Sequence, residues 1–331
     1  MHIGKLPLEH LDRLLKEYSG ADSRVVVGPQ IGEDATVIDF GRTYLVAKTD
    51  PITFVTDDIG WYVINVNAND IATMGAIPKW FLATVLLPPG VTEDLVEEVF
   101  SSIHRAASSL GISICGGHTE VTHGLERPVV IGQMLGEVER DGLVRSSGAK
   151  VGDELLLTKG LAVEATSIIA REKEDELLAS YGGEFVKRCR DFLYEPGIGV
   201  LKEARIACES AKVHAMHDPT EGGIATGLYE LAYASGVGLE IDAEGLFLHD
   251  ESRLLCDRFG LDPLGVISSG ALLIVLDSKD ARQVRNRIEK EGIRCDRIGR
   301  VREKTFGLRL RQGERLVDLP RFERDEITKL F

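Results

Sequence analysis

Residues 65–76, Asn65-Val66-Asn67-Ala68-Asn69-Asp70-Ile71-Ala72-Thr73-Met74-Gly75-Ala76, decide how the first half of the chain is read. They close a helix predicted to begin near Ile59, with Asp58 as candidate N-cap and Gly75 as its end. Three asparagines at alternate positions cannot share one helix face, and asparagine is a mediocre helix former. Asn69-Asp70 beside small Ala68 and Ala72 therefore calls for polar ligation at a close-packed surface or a polar contact between helices. Upstream, Ala35–Phe40 and Thr43–Thr49 read as strands around Gly41-Arg42, and Leu8, Leu11, Leu14 and Leu15 after Pro7 as a short amphipathic helix ending by Gly20. Downstream, Trp80–Leu87 reads as a strand closed by Pro88-Pro89-Gly90. Thr92–Leu110 is a helix with a threonine cap, acids in its first turn, Leu95, Val99 and Ile103 on one face and Gly111 behind it. Strands follow at Ser113–Cys115 and Pro128–Val138.

The polar, glycine-bearing segment Arg145–Asp153 marks a boundary, giving domains at 1–148 and 149–331. Beyond it, strands at Glu154–Thr158, Val213–Met216, Gly238–Ile241, Ala271–Leu276 and Cys295–Val301 alternate with helices near Ala162–Arg171, Ile198–Cys208, Ile224–Ala234 and Lys279–Glu291. Both halves are mixed α and β.

Composition narrows the function. The 331 residues carry 39 Lys plus Arg against 53 Asp plus Glu, a net charge of −14. Such a balance argues against nucleic-acid binding, which draws on basic patches for phosphate. Only Lys279–Phe331 is locally basic, with sixteen basic against ten acidic residues, and it reads as a solvated face. No segment approaches the roughly 18 apolar residues of a membrane span. MHIGKLPLEH lacks the cationic start and apolar run of a signal peptide. The five cysteines, Cys115, Cys189, Cys208, Cys256 and Cys295, are scattered and form no CxxC pair, so a reducing, cytoplasmic setting is expected. Cys115 reads as a buried strand-end thiol.

Five clusters at predicted element ends could carry chemistry. Gly32-Glu33-Asp34-Ala35 precedes a strand and by itself is an acidic turn. Lys48-Thr49-Asp50-Pro51 ends a strand with a carboxylate fixed before proline, a fit for Mg²⁺, which takes one or two hard protein oxygens and phosphate oxygens for the rest. Asn67, Asn69 and Asp70 are the third group. Cys115-Gly116-Gly117-His118-Thr119-Glu120 follows a strand, and two glycines there let backbone N–H groups approach phosphate, although the spacing and lysine of a P-loop are missing. His217-Asp218-Pro219-Thr220-Glu221-Gly222-Gly223 lies between a strand and a helix, again suited to an anion or a metal–phosphate. Asp50, Asp70 and Asp218 together would make an adequate Mg²⁺–nucleotide site, but spacing alone cannot bring them together.

Read in order, GEDATVI, KTDPITF, NANDIATMGAIP, GGHTEVT and HDPTEGGIATGLYELA resemble the AIR synthase superfamily, from about Leu6 to Val301. HDPTEGGIATGLYELAYASGVGLEI and CDRFGLDPLGVISSGALLIVL are most similar to its HypE-type hydrogenase maturation branch. The chain as given departs from that branch in ending ITKLF rather than in a cysteine tail, so HypE chemistry on such a tail is not expected. It also has Ser268-Ser269-Gly270 where HypE-type proteins commonly carry an Asn-Glu-Gly turn. The resemblance implies a two-domain α+β fold whose amino-terminal sheet forms a barrel-like core across a homodimer, with an α/β carboxy-terminal domain. It implies ATP and Mg²⁺ as cofactors, Asp50, Asp70 and Asp218 as metal ligands, and Glu33, Asp34, Asn67, Asn69, Gly116, Gly117, Thr119 and Gly222 as cofactor-binding residues. Lys48, His118 and Glu120 are the candidate catalytic side chains. The implied chemistry is attack by an amide-type oxygen, or by another small acceptor, on an ATP phosphorus. A thiamine-monophosphate-kinase-like activity and a non-catalytic nucleotide-binding subunit of a maturation complex are the alternatives.

Overall fold

In the computed structural model the described residues are 6, 8–20, 22–30, 32–53 and 55–331. Pro7 and Phe54, both used above, lie outside them. The chain forms two compact units: Ala21–Gly28 with Asp34–Leu143, and Met1–Gly20 with Pro29–Glu33 and Val144–Phe331, taken over their described residues. Helix α1 (Leu8–Tyr18) thus groups with the second of these.

The first unit holds β1 (Val25–Val27), β2 (Thr36–Asp39), β3 (Thr43–Ile52), α2 (Ile59–Thr73), β4 (Ile77–Leu87), α3 (Glu93–Ser109), β5 (Ser113–Val121) and β6 (Val129–Glu139). Its sheet runs β1-β2-β3-β6-β4-β5, parallel only between β4 and β5. Helix α2 packs on β3, β4 and β6 and against α3. Ile59, Val63, Ile64 and Ile71 are fully buried there, each worth about 1.5–3 kcal/mol. Gly132 and Gly136 of β6 permit that approach, because a Cβ at either would overlap the Asn67 amide or the Ile71 side chain.

Thr92 caps α3 as predicted, its hydroxyl accepting from Leu95 N–H. Gly75 ends α2 in a left-handed turn. Three expectations are corrected. Asp58 is left-handed (φ 56°) and its side chain makes no cap hydrogen bond, since that backbone does not present it to the first-turn N–H groups. Strand β3 continues through Pro51 to Ile52, so Asp50 lies within a strand and not at its exit. Strand β5 runs on through GGHTEV, because β4 supplies a ladder as far as Leu87↔Val121.

The second unit contains, after α1, β7 (Glu154–Thr158), α4 (Val163–Glu172), α5 (Glu174–Tyr181), α6 (Gly183–Asp191), α7 (Leu201–Ser210), β8 (Val213–His217), α8 (Gly223–Ser235), β9 (Gly238–Asp242), α9 (Asp250–Phe259), β10 (Leu273–Leu276), α10 (Ser278–Lys290), β11 (Cys295–Arg302), β12 (Leu308–Gln312) and β13 (Arg315–Asp318). The sheet order is β13-β12-β9-β11-β7-β10-β8, with β12 parallel to β9 and the other pairs antiparallel. Strand β10 is buried along its whole length, as its unbroken Leu-Ile-Val-Leu run demands. Helices α5, α6 and α9 and strands β12 and β13 were not anticipated. Among the described residues no helix is long and apolar enough to cross a membrane.

Candidate functional site

In the first unit, β3 and α2 bring Lys48, Asp50 and Asp70 together. Lys48 Nζ lies 3.1 Å from Asp70 Oδ1 and 3.4 Å from Asp50 Oδ2. Burial by itself would lower the Lys48 pKa. The charges of Asp70, Asp50 and Asp34 more than offset it and hold the ammonium above the usual lysine range. Three carboxylates around one ammonium leave an excess of negative charge in a largely buried place, and hard oxygens of this kind are what a divalent cation such as Mg²⁺ takes.

Asn67 is bonded to the main chain of Asp50. Its Oδ1 accepts from Asp50 N–H at 2.9 Å, while its Nδ2 donates to Asp50 O at 3.3 Å and to Val63 O at 2.9 Å. The amide imitates a neighbouring strand along Asp50 and so fixes that residue's main chain. Asn65 likewise bonds back to Trp61 O at 2.9 Å, which accounts for a second asparagine in a helix. Asn69 is fully buried.

Gly116, Gly117, His118, Thr119 and Glu120 all lie exposed on β5, at the edge of the sheet. Both glycines have φ 151°, which L side chains rarely adopt, and a Cβ at Gly117 would collide with Ala83 O. His118 Nε2 and Glu120 Oε2 are 3.2 Å apart. Strands β4 and β6 stand between β5 and β3, roughly 14 Å at about 4.8 Å per strand. Within one unit, then, His118 and Glu120 do not join Lys48. Cys115, expected to be buried, is exposed on the same strand, whereas burial pushes the Cys295 thiol up to about 12.

In the second unit, Asp218 is buried directly after β8, and His217 Nε2 meets Glu230 Oε2 at 3.0 Å. The Gly222 N–H, expected to receive an anion, already has one from its own chain. Asp325 Oδ2 accepts from it at 2.7 Å, and Asp325 Oδ1 accepts from Ile327 N–H at 2.8 Å. Burial raises the Asp325 pKa to about 6, against the lowering effect of these N–H groups. Glu33 is bonded within its own unit: Ser147 Oγ donates to it at 2.5 Å and Ser146 N–H at 3.2 Å, with Arg145 Nε 3.6 Å away.

Glu164 was missed. It starts α4, is 5% exposed, and its Oε2 has no hydrogen-bond partner. Burial raises its pKa from 4.5 to about 7, with Ser269 opposing and the charges of Asp325 and Glu221 assisting. A carboxyl is thereby brought to the Ser268-Ser269-Gly270 turn, which has none of its own. The available signal was that Glu164 is the lone charge between Gly160 and Ala170. Between pH 4.5 and about 7 the folded state holds more protons than the unfolded one, so stability falls as pH rises through that window. Glu164→Gln is expected to remove this fall and to gain on the order of 3 kcal/mol over the parent at pH 8. Urea midpoints of both proteins at pH 5 and pH 8 measure it. An equal gap at the two pH values would contradict the assignment.

The fold and the site define a two-domain α+β protein with a lysine–carboxylate cluster in its amino-terminal unit. Residues 32–138 match the amino-terminal domain, and residues 150–310 the carboxy-terminal domain, of the AIR synthase related proteins. The chain belongs to that family. A Methanocaldococcus jannaschii protein named for a provisional role in hydrogenase expression/formation is 26% identical over 318 residues, covering 93% of this chain and 92% of that one. Carbamoyl dehydratase HypE of Escherichia coli is 28% identical, over 83% of this chain and 80% of its own. Among solved structures, hydrogenase maturation protein HypE in complex with ATP superimposes with a TM-score of 0.73 at 21% identity, covering 98% of this chain and 94% of that one.

Proposed function

We propose that this protein is an ATP- and Mg²⁺-dependent enzyme that phosphorylates a small acceptor or activates an amide-type oxygen, in the manner of its HypE-like relatives. The observation that carries the reading is the grouping of Asp34, Asp50 and Asp70 around Lys48. Phosphoryl transfer asks for charge neutralisation and positioning more than for a covalent protein nucleophile, and a carboxylate-rich centre with a dication meets that demand. Without the metal, the same carboxylates would repel a triphosphate.

In this reading Asp50, Asp70 and Asp218 are metal ligands, Asn67 positions Asp50, and Lys48 offsets negative charge on the nucleotide. Asp34, Asn69, Gly116, Gly117 and Thr119 contact the nucleotide, and His118 with Glu120 serves the acceptor. The exposed β5 edge, with Ile114 and Val121 45% and 58% exposed, favours pairing with a second copy. A barrel-like homodimer would bring β5 of one copy to the cluster of its partner. The domain boundary near residue 148 belongs to the same proposal, with the amino-terminal part binding ATP and dimerising.

The test is nucleotide binding with and without Mg²⁺, sedimentation of the same sample, and product analysis with carboxamide-bearing acceptors and thiamine monophosphate. We expect a dimer at micromolar concentration, Mg²⁺-dependent ATP binding, and phosphate release that requires a carboxamide. Transfer to thiamine monophosphate would favour the kinase alternative, and binding without turnover a non-catalytic subunit. Absence of ATP binding would overturn the reading.

A further inference from the structure

Most basic residues of the carboxy-terminal stretch are exposed, as expected of a solvated face, but not all of them are spread over it. Four of its arginines converge on an open cleft of about 220 Å³ in the second unit, lined by Arg297, Arg300, Arg302 and Arg311 with Glu240 and Asp242. Backbone register accounts for the convergence. Strict alternation along β11 would put Arg297 on the face opposite Arg300 and Arg302. A bulge between Arg297 and Gly299 inserts one residue, so Arg297 opposite Leu156 and Arg300 opposite Glu154 emerge on the same face. Glu240 of β9 pairs with Arg300, and Arg311 of β12 with Asp242, which completes the rim.

The ion pairs do not use these guanidiniums equally. Glu240 is taken by Arg302, at 2.7 Å from its Nε, and by Arg311. Arg297 reaches Glu154 at 3.2 Å and Asp242 at 3.1 Å. Arg300 has Glu154 alone, at 3.6 Å, beyond hydrogen-bond length, and its Nε is buried with no hydrogen-bond partner. Four guanidiniums therefore face three carboxylates, and the spare positive charge sits on a planar fork of donors in a concave site. A tetrahedral oxyanion matches such a fork with paired N–H···O bonds. A polyanion does not suit a chain of net charge −14.

We propose that this cleft binds the phosphate group of a small molecule, with Arg300 as the principal donor and Arg297 and Arg302 beside it. The site lies at the β9–β11–β12 end of the sheet, whereas Asp218 follows β8 at the opposite edge. It is therefore separate from the loop given to metal and nucleotide above.

The probe is inorganic phosphate, labelled and measured by equilibrium dialysis at fixed ionic strength on the full chain. One saturable site per chain is expected, retained in Asp70→Asn and weakened about tenfold or more in Arg300→Ala, the size of one charge-assisted hydrogen bond. With its side chain 43% exposed and its one ion pair long, Arg300→Ala should keep the parent melting temperature. Arg300→Lys, which keeps the charge and loses the fork, is the second variant and is also expected to bind more weakly. No saturable uptake by the parent, unchanged affinity in Arg300→Ala, or loss in Asp70→Asn with retention in Arg300→Ala would each overturn the proposal.

Discussion

Asp70→Asn is expected to lower Mg²⁺-dependent ATP affinity by more than about 100-fold while the amino-terminal unit stays folded. Outer-shell partners of a metal ligand are worth about 10–100-fold, and a direct anionic ligand should exceed them. Asp70 is 6% exposed, so water cannot readily replace the lost charge. Asparagine is nearly isosteric, and the bond from Thr73 Oγ1 goes to the Asp70 main-chain oxygen, which survives the change. Lys48 keeps Asp50 at 3.4 Å, so no unpaired buried cation results. Titration with ATP and Mg²⁺, alongside a thermal melt, checks both halves of the expectation. Unchanged affinity would remove Asp70 from the site and with it the main support for an ATP-using enzyme.

The largest stability effect is expected at Glu203. Its carboxylate meets Lys159 Nζ at 2.9 Å, with side chains 1% and 6% exposed, and accepts from Thr158 Oγ1 at 3.3 Å. Lys159 also donates to the Gly197 and Gly199 carbonyls, tying the end of β7 to the segment before α7. Glu203→Ala leaves a buried ammonium without its counter-charge, a loss of about 3–5 kcal/mol. Replacing both partners at once, Lys159→Met with Glu203→Leu, should cost much less, because no buried charge remains. Chemical denaturation of the single and double variants measures the difference. A single variant as stable as the parent would show that the pair is dispensable.

Several parts of this molecule could be read without its structure. Helix α3 carries its own cap, its dipole-matched acids and its apolar stripe within 20 residues, all of them local effects. The unbroken apolar run of β10 and the glycines bounding α2 and α8 are legible for the same reason. The ordered motifs also sufficed for the family, since each is a short stretch with its spacing intact. The asparagines of α2 announced that something polar must meet them.

What met them was decided by tertiary structure. Asn67 completes the hydrogen bonding of Asp50, seventeen residues away, and nothing local says which backbone it will find. A glycine pair reads as a turn, yet Gly116-Gly117 stay extended because β4 offers a ladder alongside. The anion expected at Gly222 comes from Asp325, 103 residues on, and the arginines of β11 share a face only through one bulge. Helical and strand patterns are written by neighbours in sequence. Partners of buried polar groups are chosen by whichever distant segment the fold delivers, because desolvation penalises any group left unmatched.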